Sequence, residues 1–153
     1  LIALLATVIG FTLNHFRSEP LALKADWSPE ARLTSKFGKN ILISLDEAKE
    51  KFFSGSALFI DARSPELFRE GHIQGARNLT IAAFDRQAYE MLLDLPEDTL
   101  IVTYCDGEEC TLSQEVALKL KEIGFENIRV LHNGWTVWKS HHLPSQGGGE
   151  HGS

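Results

Sequence analysis

From residue 40 onward, short apolar runs alternate with segments whose apolar positions recur every three or four residues. Asn40 to Ser44 reads as a short apolar strand with Ile41, Leu42 and Ile43 at its centre. Ser44 and Glu47 stand three apart in a capping-box pattern. The helix predicted behind them carries Leu45, Ala48 and Phe52 on one face. Ala57 to Ile60 is an unbroken apolar run closed by Asp61, the pattern of a strand covered on both faces. Ser64-Pro65 predicts a helix start, with Pro at the first position, where its missing N–H costs nothing. Gly71 and Gly75 break the chain before a short strand around Asn78 to Ile81. Phe84 to Leu93 has helical spacing, and Thr99 to Tyr104 is a second buried strand. Thr111 and Gln114 repeat a capping-box spacing, and Leu112, Val116, Leu120 and Ile123 then fall on one helical stripe. Gly124 is placed to end that helix. Asn127 to Leu131 follows as a last strand and Gly134 to Lys139 as a last short helix.

Strands and helices alternating at this spacing predict an α/β domain with a mainly parallel sheet. In such sheets ligands bind beyond the carboxyl ends of the strands. Two chemically interesting segments fall there: Asp61-Ala62-Arg63, and the loop from Cys105 through Asp106, Gly107, Glu108, Glu109 and Cys110 to Thr111.

The ends read differently. Leu1 to Leu13 carries no charge but is shorter than the roughly 20 apolar residues of a membrane span. Residues 1–16 are therefore expected to be a truncated membrane anchor or a signal segment. Residues 17–39 are polar and irregular, with Pro20 and Pro29, and read as a tether with Trp27 and Phe37 as isolated aromatic anchors. Residues 40–144 form the expected domain, and 145–153 a flexible tail by composition. His141, His142 and His151 read as solvated rather than metal-ligating. An anchor or signal would put the domain on a membrane or in the bacterial periplasm.

The 153 residues suit one domain plus extensions. With 43% hydrophobic and 24% charged residues, a disordered chain and a polytopic membrane protein are excluded. A net charge of −6 makes nucleic acid an unsuitable partner, since nothing neutralises its phosphates. Two cysteines are too few for a disulfide-stapled mini-fold or a Cys-rich zinc site.

Cys105 is expected at a strand end, in a strand–loop–helix joint whose backbone N–H groups and helix N-terminus favour negative charge. Such a setting lowers a thiol pKa and makes a thiolate nucleophile. The alternative is a small buried apolar residue. Asp106, Glu108 and Glu109 oppose the first reading, because like charges raise a thiol pKa and repel anions. An acidic rim instead suits a cationic protein partner. Cys110, five residues on, either packs before the helix or meets Cys105 as a resolving or structural thiol.

The ordered set Asp61-Ala62-Arg63, Gly71-His72-Ile73 with Gly75-Ala76 and Asn78, Ile101 to Cys105, Gly124-Phe125, then Leu131, Gly134 and Trp138 resembles the rhodanese-like domain. The resemblance covers about 100 of 153 residues. It implies a five-stranded, mainly parallel sheet flanked by helices. It implies a sulfurtransferase in which Cys105 carries a persulfide and the loop to Thr111 is the active-site cradle. A sulfane-sulfur donor and a thiol acceptor would be its partners, and no metal or organic cofactor is implied. The residues matching Asp61 and Arg63 support the site in that family, in line with a local ion pair read from the residues themselves. His72 is expected to fasten a turn by hydrogen bonding, and Trp135 and Trp138 to pack the core.

The loop departs from the family's commonest form. It offers acids where a small or basic residue is usual, Glu108 where a Gly is usual, and a second cysteine at Cys110. Asn133-Gly134 replaces a Gly-Gly pair, a change that a left-handed Asn tolerates. Two other functions stay open: a thiol–disulfide or persulfide redox module using Cys105 and Cys110, and a non-catalytic protein-binding module.

Overall fold

The computed structural model describes residue 12 and residues 40–96, 98–107 and 110–148. Apart from Thr12, the expected anchor (1–16) and tether (17–39) lie outside the described residues, as do Glu108 and Glu109. Among the described residues no helix is long and apolar enough to cross a membrane.

The chain runs α1 (Leu45–Phe53), β1 (Leu58–Asp61), α2 (Pro65–Glu70), β2 (His72–Ile73), β3 (Arg77–Asn78), α3 (Phe84–Leu92), β4 (Ile101–Tyr104), α4 (Leu112–Glu122), β5 (Ile128–Leu131), α5 (Gly134–Ser140) and β6 (Ser145–Gln146). Four strands form a parallel sheet in the order β3-β1-β4-β5. The fifth strand expected at Asn40 to Ser44 is reduced to one parallel bridge, Leu42 with Val130. Backbone bonds from Ile43 N to Val130 O and from Val130 N to Ile41 O hold it at the sheet edge.

Neighbouring residues of one strand point to opposite faces, so each central strand supplies both cores. Ile60, Ile101 and Val130 pack with Phe84, Ala88, Val116, Ala117 and Leu120 from α3 and α4. Phe59, Val102, Tyr104 and Leu131 pack with Ala48 and Trp138 from α1 and α5. Helices therefore cover both faces, as the unbroken apolar strands require. Phe52, Phe59 and Trp138 meet edge-on or tilted at 5.1–5.9 Å.

The caps differ in outcome. Ser44 Oγ accepts the Glu47 N–H and Ser64 Oγ the Leu67 N–H, with Pro65 in the first helical turn. Thr111 makes no such cap: its hydroxyl donates to Glu115 Oε1 at 2.9 Å and faces outward. The stripe expected along α4 is also turned. Leu112 and Ile123 are exposed, while Ser113, Val116, Ala117 and Leu120 are buried.

The tail expected from Ser145 begins later. Ser145–Gln146 pair antiparallel with His72–Ile73, Gly75 N–H donates to Gln146 Oε1, and Gly148 N–H to Arg69 O. Composition misleads here because a Ser-Gln-Gly-Gly sequence supplies no apolar anchor. The backbone and the Gln amide make the attachment instead, helped by Trp138 Nε1 donating to Pro144 O.

Candidate active site

β1 and β4 lie side by side with Asp61 opposite Tyr104, so both site segments leave the sheet at adjacent strand ends. At the first, Arg63 and Asp61 form the expected ion pair, and it is buried, with side chains 3% and 0% exposed. Arg63 Nη2 donates to Asp61 Oδ2 at 2.6 Å and to Gly71 O at 2.6 Å, and Nε reaches both carboxylate oxygens. Burial pulls the Arg63 guanidinium down, but the hydrogen bond and charge of Asp61 outweigh it and hold the group above its ordinary pKa. Asn78 Nδ2 donates to the backbone oxygens of both Asp61 and Arg63, locking the turn. Trp135 stacks on Arg63, its ring centre 4.8 Å from the guanidinium carbon.

His72 fastens the neighbouring turn, as expected. Its Nδ1 lies 2.7 Å from Phe68 O and its ring stacks on Phe68. Gly71 lets Trp135 approach, since a Cβ there would sit 2.8 Å from the indole. Tyr104 adds a contact that sequence reading missed: its hydroxyl accepts the Ile73 N–H at 3.1 Å. Burial, then the charge of Asp61, pushes the Tyr104 phenol well above its ordinary pKa.

At the second strand end Cys105 follows Tyr104 directly and is 1% exposed. It is disulfide-bonded to Cys110, with Cα atoms 6.5 Å apart. The two sulfurs thus meet across the loop. Cys105 packs within the α3/α4 core, with Cys110 against it. Its carbonyl accepts the Trp135 N–H at 3.0 Å, which joins the loop to α5.

Gly107 sits at φ +86, a left-handed conformation that favours glycine. Its N–H donates to Asn133 Oδ1 at 2.9 Å and to its neighbour Asp106 Oδ1 at 3.0 Å. Asp106 also accepts from the Thr136 hydroxyl. This carboxylate is thus held against α5, and its charge still acts within the site, on Arg63. Asn133 takes the left-handed turn at φ 48, as its place in the Asn-Gly pair predicts. Gly134 follows it because a Cβ there would stand 2.5 Å from Tyr104 Cβ.

Ser113 is the second residue missed in the sequence. It is buried, and its Oγ lies 3.3 Å from Cys105 Sγ. The available signal was its register: it precedes Val116 and Ala117 by three and four residues, on the helix face that is buried. Among the described residues no group of three or more His, Cys, Asp or Glu side chains is arranged to hold a metal ion.

The fold and site thus define a doubly covered parallel α/β domain with a two-cysteine loop at the end of a central strand, beside a buried Asp–Arg pair. The family model described as Rhodanese-like domain matches residues 44–141, and the chain belongs to that family. The chain is 33% identical over 98 residues to thiosulfate sulfurtransferase GlpE of Pseudomonas putida, covering 62% of this chain and 81% of that protein. It is 31% identical over 91 residues to an HTH-type transcriptional regulator of Mycobacterium tuberculosis, covering 60% of this chain but only 38% of the regulator. Among solved structures, the rhodanese-like domain of an Anabaena protein superposes with a TM-score of 0.57 at 29% identity, covering 70% of this chain and 79% of that one.

Proposed function

We propose that this domain is a sulfurtransferase that carries sulfane sulfur on Cys105 and uses Cys110 as its resolving thiol. The observation that carries the reading is the position of Cys105 at the end of β4, within bonding distance of Cys110. The GlpE relatives, named as thiosulfate sulfurtransferases, support the reaction class.

The chemistry starts from the reduced pair. The Cys105 thiolate attacks the outer sulfur of a donor such as thiosulfate. A bond forms from Sγ to that sulfur, the donor's S–S bond breaks, and sulfite leaves with the electron pair. Backbone amides at the start of α4 stabilise the persulfide anion. An external thiolate then takes the outer sulfur and releases Cys105 as thiolate. In its absence the Cys110 thiolate attacks Cys105 Sγ, hydrosulfide leaves, and the Cys105–Cys110 disulfide forms. A dithiol reductant restores both thiols.

In the disulfide neither sulfur is a thiolate, so reduction has to precede loading. The disulfide also supports a second reading, a redox module that takes up no sulfur at all.

Intact mass with thiol counting separates the two. The oxidised chain should show no free thiol and gain no sulfur from thiosulfate or polysulfide. After reduction, Cys110→Ser should gain one sulfur and keep it. The reduced native chain should instead release sulfide and return to the disulfide. Cys105→Ser should gain none. A reduced Cys110→Ser chain that gains no sulfur from either donor, with no sulfide released by the reduced native chain, removes the sulfurtransferase reading and leaves the redox module.

A further inference from the structure

We infer that Ser113 is the hydrogen-bond donor to the Cys105 thiolate, the group that holds the nucleophile ionised and eases its departure when an acceptor takes the sulfur. This rests on the reading of Cys105 as the sulfur-carrying residue.

Ser113 sits in the first turn of α4, behind Thr111 and Leu112. The turn is pinned to β4, because Thr103 Oγ1 donates to Ser113 O at 3.0 Å. The Ser113 residue is 2% exposed, so bulk water does not serve its hydroxyl. The hydrogen-bonding partner that the described residues offer this hydroxyl is Cys105 Sγ, at 3.3 Å. Thr111, the loop hydroxyl nearer in sequence, is turned outward onto Glu115 and does not compete.

A neutral sulfur is a weak acceptor, whereas a bond to an ionised group is roughly twice as strong as a neutral one. The Ser113 hydroxyl therefore gains little from the disulfide and much from the thiolate. It stabilises one state of the cysteine pair over the others. Two effects follow from the same bond: Cys105 ionises at lower pH, and the disulfide is easier to reduce. The third is kinetic. When an acceptor thiolate attacks the outer sulfur of the persulfide, negative charge grows on Sγ, where the hydroxyl already points.

Other charged and titratable groups stand on the elements around Cys105. They are Asp106, Glu108 and Glu109 on its own loop, Tyr104 at the end of β4, Asp61 and Arg63 at the end of β1, His132 between β5 and α5, and Glu115 on α4. Ser113→Ala removes one oxygen and leaves all of them in place.

The chain has two cysteines, so Cys110→Ala leaves Cys105 as the sole thiol. Its ionisation can then be followed by ultraviolet thiolate absorbance, which needs no reagent access. Adding Ser113→Ala should raise the midpoint by about one pH unit, roughly tenfold less thiolate at a pH below both midpoints. Ser113→Thr, which keeps the hydroxyl, should restore it. With both cysteines present, and at a pH above both midpoints, Ser113→Ala should shift the equilibrium with a reference dithiol about tenfold toward the disulfide. A folded Ser113→Ala protein with an unchanged midpoint and an unchanged dithiol equilibrium overturns the inference. The two readings fail separately. A shifted midpoint in a chain that binds no sulfur sinks the sulfurtransferase reading alone, and sulfur loading with an unmoved midpoint sinks the role of Ser113 alone.

Discussion

Asn133 Oδ1 accepts the Gly107 N–H at 2.9 Å, and this bond between residues 26 apart ties the cysteine loop to the start of α5. Asn133 is also left-handed at φ 48, so one residue supplies both the turn and the tether. Asn133→Gly should keep the backbone and lose the hydrogen bond, at a cost of about 1 kcal/mol. Asn133→Ala should lose the bond and also strain the left-handed turn, for about 2 kcal/mol in all. Urea unfolding of the two variants checks the order. Two variants equally less stable than the native chain would show that the tether matters and the turn does not.

The Asp61–Arg63 pair is buried, and both oxygens of the carboxylate accept from the guanidinium. Removing one member leaves an uncompensated charge in the interior, so Asp61→Ala should destabilise by about 3–5 kcal/mol. Replacing both, as Asp61→Ala with Arg63→Met, should cost clearly less than the sum of the single changes. A double-mutant cycle from chemical denaturation measures this.

Burial and the charge of Asp61 raise the Tyr104 pKa above its unfolded value of about 10. The folded state then holds the phenolic proton more tightly than the unfolded state. The associated stability is complete below about pH 10 and is lost as pH rises beyond it. Tyr104→Phe should flatten this alkaline decline. At neutral pH it should cost about 1 kcal/mol, because the Ile73 N–H loses its acceptor. Thermal unfolding from pH 7 to 11 tests both halves.

The C-terminal strap is held by few bonds, among them Gly75 N–H to Gln146 Oε1. Gln146→Ala removes this side-chain acceptor. Losing about 1 kcal/mol there should speed hydrogen exchange at the Gly75 amide roughly fivefold. The amides of the central strands should be unaffected. Residue-resolved exchange reads this directly.

The order of elements was legible along the chain because burial on both faces leaves an unbroken apolar strand and each helix repeats every three or four residues. Asp61, Arg63 and Cys105 were legible too, since each closes or follows such a strand. Ser44 and Ser64 announced helix starts through short-range hydrogen bonds that sequence spacing alone specifies. Thr111 shows the limit of that rule, because the same spacing let its hydroxyl find Glu115 instead. Other contacts depended on which faces meet in space. Ser113 reaches Cys105 only because α4 packs on the sheet with that face inward, and Asn133 reaches Gly107 only because β5 lies beside β4. Ser145–Gln146 became a strand through backbone pairing with His72–Ile73, for which a polar, glycine-rich sequence carries no signal. Local pattern and spacing thus determined most of the elements and the position of Cys105 at a strand end. The partners of Cys105 were decided by long-range packing, whose geometry arises only when the sheet is assembled.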